Sequence, residues 1–161
     1  MDTKDTTRNF GFLVHEVARL LRRNFDRRVS GLGLTQAQWR TLAYLARHEG
    51  INQTSLAELL EVKPITLARL LDRLEEAGWV ERRGDPADRR VFRLHLTEAA
   101  QPLLVEMEQI AAKTRQDALA GLGRDEQRQV LNLLSSLKKN LMDAEAHLPP
   151  AATKKDTDPD E

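Results

Sequence analysis

The stretch Lys63-Pro64-Ile65-Thr66-Leu67-Ala68-Arg69-Leu70-Leu71-Asp72-Arg73-Leu74-Glu75-Glu76-Ala77-Gly78-Trp79-Val80-Glu81-Arg82-Arg83 contains a change of period that decides the fold. Leu67, Leu70, Leu71 and Leu74 keep the three- and four-residue spacing of a helix with one buried face. Pro64 suits the first turn of that helix, where its missing N–H has no partner to lose. Gly78 supplies a left-handed stop. From Trp79 the chain alternates apolar and polar residues, and Val91-Phe92-Arg93-Leu94-His95-Leu96 does so again. Between the two runs lies Gly84-Asp85-Pro86-Ala87-Asp88-Arg89-Arg90, rich in turn-forming residues, so a half-buried hairpin is expected.

Working outward, Asn52-Gln53-Thr54-Ser55 starts a short helix through Leu56, Leu59 and Leu60. Thr35 caps one whose apolar face is Trp39, Leu42, Ala43 and Leu45, closed by His48-Glu49-Gly50. Three helices followed by a hairpin make a winged helix-turn-helix, mainly α in class (α+β). Amphipathic helices flank it. Phe10, Leu13, Val17, Leu20, Leu21 and Phe25 mark one that runs to about Val29 and stops at Ser30-Gly31-Leu32-Gly33. Thr97-Glu98 opens a long one with Leu103, Leu104, Met107, Ile110, Ala111 and Leu119. Gly121-Leu122-Gly123 breaks it, and a last helix carries Val130, Leu133, Leu134, Leu137 and Leu141. The expected division is an N-terminal dimerisation helix (1–33), the winged module (34–98), C-terminal dimerisation helices (99–147) and a disordered acidic tail (148–161). Packing the terminal helices together and against a second copy is the simplest way to bury their stripes.

The chain has 161 residues and no cysteine, which excludes disulfides, thiolate metal sites and Cys nucleophiles. No apolar run reaches the roughly 20 residues of a membrane span, and no signal peptide opens the chain, so a cytoplasmic protein is expected. Its 25 basic and 25 acidic residues cancel. Because the C-terminal stretch is acidic, the first 142 residues retain a modest positive charge. Clustering matters more than the total: Arg82, Arg83, Arg89, Arg90 and Arg93 fall in and around the hairpin turn.

In a helix-turn-helix the second helix enters the major groove by its N-terminal residues. Here the early outward positions are Lys63, Ile65, Thr66, Arg69 and Arg73. Thr66 suits a base edge, Ile65 a thymine methyl, and the two arginines phosphate or guanine. Arg83, Arg89 and Arg90 belong to the hairpin arm, and arginine suits the negative potential of a narrow minor groove. Asp88 is expected to support that arm by pairing with a neighbouring arginine. An arginine-rich hairpin alone is usually a solvated surface; directly after a helix-turn-helix it points to double-stranded DNA.

Asp85-Pro86-Ala87-Asp88-Arg89-Arg90, followed by Leu94-His95-Leu96-Thr97-Glu98, resembles the wing signature of the MarR family of bacterial transcription regulators. Leu34-Thr35-Gln36-Ala37-Gln38-Trp39, Leu56-Ala57-Glu58-Leu59-Leu60 and Leu74-Glu75-Glu76-Ala77-Gly78 match as well. The run from Leu96 through Pro102–Glu108 to Lys113-Thr114-Arg115 is similar to the SlyA-type branch. The resemblance implies a homodimer on palindromic operators, a role as repressor or counter-repressor, and release of DNA when a small aromatic carboxylate or phenolic ligand fills a cleft. It also puts Arg69 at the recognition-helix arginine and Arg90 at the wing arginine that enters the minor groove.

Other chemistry is thinly represented. His15, His48, His95 and His147 lack metal-ligand spacing, and no cofactor is implied. No nucleophile elbow or phosphate-binding loop occurs, so an enzyme is not expected. His95 reads as an exposed strand residue and Trp79 as part of the core. His15, Arg19 and Trp39 are the candidate ligand contacts, although a His15–Arg19 pair is more simply a surface one. Two rival readings are a constitutive DNA-binding winged helix without ligand and a winged helix that docks proteins.

Overall fold

The period change at Gly78 is where the chain turns from helix to strand. The computed structural model describes residues 9–88 and 90–147, so Arg89 and the expected tail at 148–161 lie outside the described residues. In chain order the elements are α1 (Phe10–Val29), a 3-10 turn (Ser30–Leu32), α2 (Gln36–Leu45), α3 (Gln53–Leu60) and α4 (Pro64–Glu76). β1 (Val80–Gly84), β2 (Phe92–Leu96), a second 3-10 turn (Glu98–Ala100), α5 (Gln101–Ala118) and α6 (Arg124–Glu145) follow. A mostly helical chain with one small antiparallel sheet is the winged helix-turn-helix architecture.

Local chemistry sets the helix starts. Thr35 and Gln38 cap α2 reciprocally: Gln38 N–H donates to Thr35 Oγ1 at 3.3 Å, and Thr35 N–H donates to Gln38 Oε1 at 2.9 Å. Asn52 Oδ1 accepts the Ser55 N–H at 2.8 Å to open α3. Pro64 is the first residue of α4, after an extended Lys63. Between α3 and α4 the chain turns through Glu61, whose φ of 56° is left-handed, a conformation costing a side chain about 1 kcal/mol. The Val62 N–H closes that turn onto the Ala57 carbonyl at 3.0 Å.

The hairpin pairs Val80 with Leu96 through to Gly84 with Phe92. Residues 50–52 add to its edge, with Gly50 N–H donating to Leu94 O at 3.0 Å and Leu94 N–H to Ile51 O at 2.9 Å. Two helix ends differ from expectation. α2 stops at Leu45, and the Arg47 and His48 N–H groups tighten onto the Tyr44 and Leu45 carbonyls, both at 3.1 Å. The chain after Thr97 first makes a 3-10 turn, since Pro102 has no N–H to give the Glu98 carbonyl.

The described residues fall into two compact units divided between Ala118 and Leu119. In the first, Leu42 and Leu45 of α2, Leu56 of α3, Leu67, Leu71 and Leu74 of α4 and Leu94 of β2 are wholly buried. Val29 of α1 and Met107 of α5 join the same cluster, so both flanking helices share the winged module's core. Arg28 at the end of α1 also bonds Thr114 Oγ1 at 2.8 Å and the Asp117 carboxylate of α5. Hydrogen bonds from Lys113 and then Arg28 hold the Asp117 carboxyl below its ordinary range. In the second unit, α6 opens where Glu126 Oε2 accepts the Gly123 N–H at 2.6 Å, after a left-handed Gly121.

Thr41 is fully buried in this core and its Oγ1 has no hydrogen-bond partner among the described residues. Removing a buried, unpaired hydroxyl recovers part of its desolvation cost. Thr41→Val is therefore expected to stabilise the fold by about 1 kcal/mol, read as a higher denaturant midpoint at unchanged slope; a lower midpoint contradicts it.

Candidate nucleic-acid interface

Burial of the leucine face of α4 turns its other side outward. Lys63, Ile65, Thr66, Arg69 and Arg73 lie on that side, with Ile65 62% exposed. Thr66 N–H donates to the Lys63 carbonyl at 2.9 Å, which fixes the first turn under these side chains. Lys63, Arg69 and Arg73 form no ion pair among the described residues, and their charges face solvent.

The hairpin arginines are not equivalent. Arg82 Nη2 lies 2.7 Å from Asp72 Oδ1 of α4, and its Nη1 bonds Glu75. Arg83 is held by Glu81 on its own strand. Arg93 Nε donates to Asp85 Oδ2 at 2.6 Å. Arg90 is exposed and keeps its charge free of any carboxylate among the described residues.

The turn is built by its two aspartates. Asp85 Oδ1 accepts the Ala87 N–H at 2.7 Å, while Asp88 Oδ1 accepts the Arg90 N–H at 2.9 Å. Among the described residues the Asp88 carboxylate holds backbone and Asp85 is the turn acid that binds a guanidinium; the expected partner of Asp88 is neither Arg90 nor Arg93, and Arg89 lies outside the described residues. Register explains this, because Arg93 sits on β2 within reach of the strand-end Asp85. Arg82, Arg90, Val91 and Phe92 line a crevice of about 420 Å³ with Asn52–Ser55 at the start of α3.

The profile of the MarR family matches residues 34–92, which cover α2 through the first residue of β2. The transcriptional regulator PA3341 is 41% identical, with a TM-score of 0.73 over 83% of this chain and 98% of that one. Wild-type MarR from E. coli is 30% identical, with a TM-score of 0.70 over 79% of this chain and 94% of that one.

The chain belongs to the MarR family.

MarR-family proteins are transcription regulators rather than enzymes. A mutant E. coli MarR solved with operator DNA is 28% identical, with a TM-score of 0.67 over 85% of this chain and 99% of that one.

This MarR-family chain also has a cavity of about 260 Å³ in its first unit, walled by Phe25, Trp39, Ala43, Leu104, Met107 and Ala111. Phe25 meets Trp39 edge-on at 4.6 Å, and Trp39 Nε1 donates to Asp26 Oδ1 at 2.5 Å. Of the three candidate ligand contacts, only Trp39 lines it. Arg19 is engaged by Glu16, with its Nε 2.9 Å from Oε1, and not by His15. Arg47 and Glu108 are the charged residues at the cavity. Arg47 Nη1 donates to the Ala43 carbonyl at 2.9 Å, whereas Glu108 faces Arg115 at 3.5 Å. Sequence reasoning missed Arg47, although Trp39, Ala43 and Arg47 repeat every four residues. His95 is likewise corrected: its Nδ1 lies 2.8 Å from Glu49 Oε1, and its side chain is only 19% exposed. Trp79 is half-buried against the core, as expected.

The bond from the Ala87 N–H, and next the one from Arg93, hold the Asp85 carboxyl below its ordinary range. A depressed carboxyl stabilises the fold above the unfolded-state pKa and loses that contribution as pH falls through the folded value. Protection of the Ala87 amide is thus expected to persist from about pH 7 to about pH 4 and to drop in stronger acid. Asp85→Asn should flatten that dependence in amide exchange; an unchanged profile contradicts the assignment.

Proposed function

We propose that this chain is a DNA-binding transcription regulator, a repressor that grips palindromic operators as a homodimer. The carrying observation is how the carboxylates sort the cations. Arg82, Arg83 and Arg93 are held by acids, while Lys63 at the start of α4, Arg69 and Arg73 on it and Arg90 on the wing form no ion pair among the described residues. Ile65 and Thr66 bring apolar and hydroxyl contacts to base edges, and Arg90 reads the minor groove. The operator complex of the related E. coli protein supports this reading.

A second copy is the partner that suits the exposed stripes. Phe10, Leu13, Val17 and Leu20 on α1 are 45–63% exposed, and Leu131, Leu133, Leu134 and Leu141 on α6 are 50–65% exposed. In the homodimer the two α4 helices meet half-sites about 34–36 Å apart. Within the family, the run from Leu96 to Arg115 favours the SlyA-type branch. A small aromatic carboxylate or phenolic anion, held by Trp39 and Arg47, acts by shifting the population toward a half-site spacing that no longer fits successive major grooves.

Arg90→Ala is expected to weaken operator binding by about 1–3 kcal/mol and to relax sequence preference. Arg73→Ala should weaken all sequences alike and lower the salt slope by about one unit for the phosphate it no longer neutralises. Arg83→Ala should change little. Fluorescence anisotropy on a duplex recovered by selection from a random pool checks all three. Equal losses on selected and random DNA from Arg90→Ala contradict base reading by the wing, and salt-insensitive binding favours a protein-docking role instead.

Salicylate is expected to quench tryptophan fluorescence, with the signal lost in Trp39→Phe and weakened severalfold in Arg47→Ala. Quenching that survives Trp39→Phe contradicts this pocket as the ligand site.

A further inference from the structure

One guanidinium spans two carboxylates of the helix that is offered to DNA. Arg82 of β1 bonds Asp72 Oδ1 at 2.7 Å and Glu75 through its other terminal nitrogen, and its own N–H donates to Glu75 Oε1 at 3.3 Å. The Arg82 side chain is 21% exposed, against 58% for Asp72 and 41% for Glu75. The acids are therefore open to solvent, and the arginine is pressed between them and its strand. Asp72 adjoins Arg73 in sequence and follows Arg69 by one turn.

We infer that Arg82 is a positioning residue for DNA binding: it acts through Asp72 and Glu75, cancelling their charge and tying β1 to α4, and does not itself grip phosphate. The inference rests on the DNA-binding reading above. Uncovered carboxylates this close to Arg69 and Arg73 lie within the screening length, about 10 Å at 0.1 M salt, of any phosphate those arginines reach. They would oppose the same cations that bind. A planar fork satisfies two acceptors at once, which a lysine ammonium cannot do with the same geometry. The clamp also sets where the wing leaves α4, and so where Arg90 stands relative to Arg69.

The test is a cycle on the full chain, read by anisotropy on a mixed-sequence duplex about three helical turns long at about 0.1 M salt. Arg82→Gln is expected to weaken binding about tenfold with a salt slope close to wild type. In an Asp72→Asn/Glu75→Gln background the same Arg82→Gln change should alter affinity less than about twofold. Arg82→Lys, which keeps charge without the fork, should lose about threefold and guards against a glutamine variant that fails to fold. Equal losses in both backgrounds with a shallower salt slope overturn the inference, because Arg82 then touches phosphate. No loss in either arginine variant overturns it too. A wild-type chain that ignores DNA even at low salt fails before any substitution is made and removes the DNA-binding reading itself.

Discussion

The rotation of α4 about its own axis is set by Leu67, Leu71 and Leu74, all wholly buried. Each is worth roughly 1.5–3 kcal/mol out of water. Turning the helix by one residue, about 100°, would send Ala68, Asp72 and Glu75 toward the core in their place. Burying two carboxylates costs several kcal/mol apiece, whereas an exposed ion pair contributes about 0–1 kcal/mol. Packing therefore decides the rotation and the surface charges follow it. Ile65, Thr66, Arg69 and Arg73 face outward because the leucines face inward, and no interaction on the outer face is needed to hold them there.

On that fixed frame the acids choose which cations remain available. Asp72 and Glu75 take Arg82, Glu81 takes Arg83, and Asp85 takes Arg93. A chain with as many acids as bases can still present a cationic surface when its carboxylates are engaged by particular arginines. The turn does the same with backbone. Asp85 and Asp88 occupy N–H groups of Ala87 and Arg90, so two acids sit near the wing arginine without forming a side-chain pair with it.

Most of the fold was legible because its signals are short-range. The Thr35 and Asn52 caps, Pro64, Gly78 and the leucine spacing of α4 each act within a turn or two, and each lies where the sequence places it. Partner choice was harder to read. Whether Arg19 meets His15 or Glu16 depends on rotamers, and the pattern admits both. That Asp85 takes Arg93 depends on hairpin register. His95 meets Glu49, 46 positions away, only because residues 50–52 pair with β2. Arg47 lies past the end of α2, and because the tightened turn keeps it on the Trp39 side, the four-residue spacing from Trp39 through Ala43 still points to it.

The terminal helices pose the opposite problem, having pattern without burial. α6 runs for 22 residues with none of them buried, and the N-terminal half of α1 leaves its aromatic and aliphatic side chains open. In proteins most of a helix's stability comes from packing an apolar face, and a large exposed apolar patch is the usual mark of an interaction site. On the homodimer reading, those helices gain their stability from the second copy, so folding and association are linked and apparent stability rises with protein concentration. The same linkage bears on DNA. α1 reaches the winged module through Val29 in the shared core, and α5 reaches it through Met107. On the same reading, a change in how two copies pack along α1 would be transmitted by buried side chains to the frame that carries α4, and the distance between the two α4 helices would be a property of the interface as much as of the module.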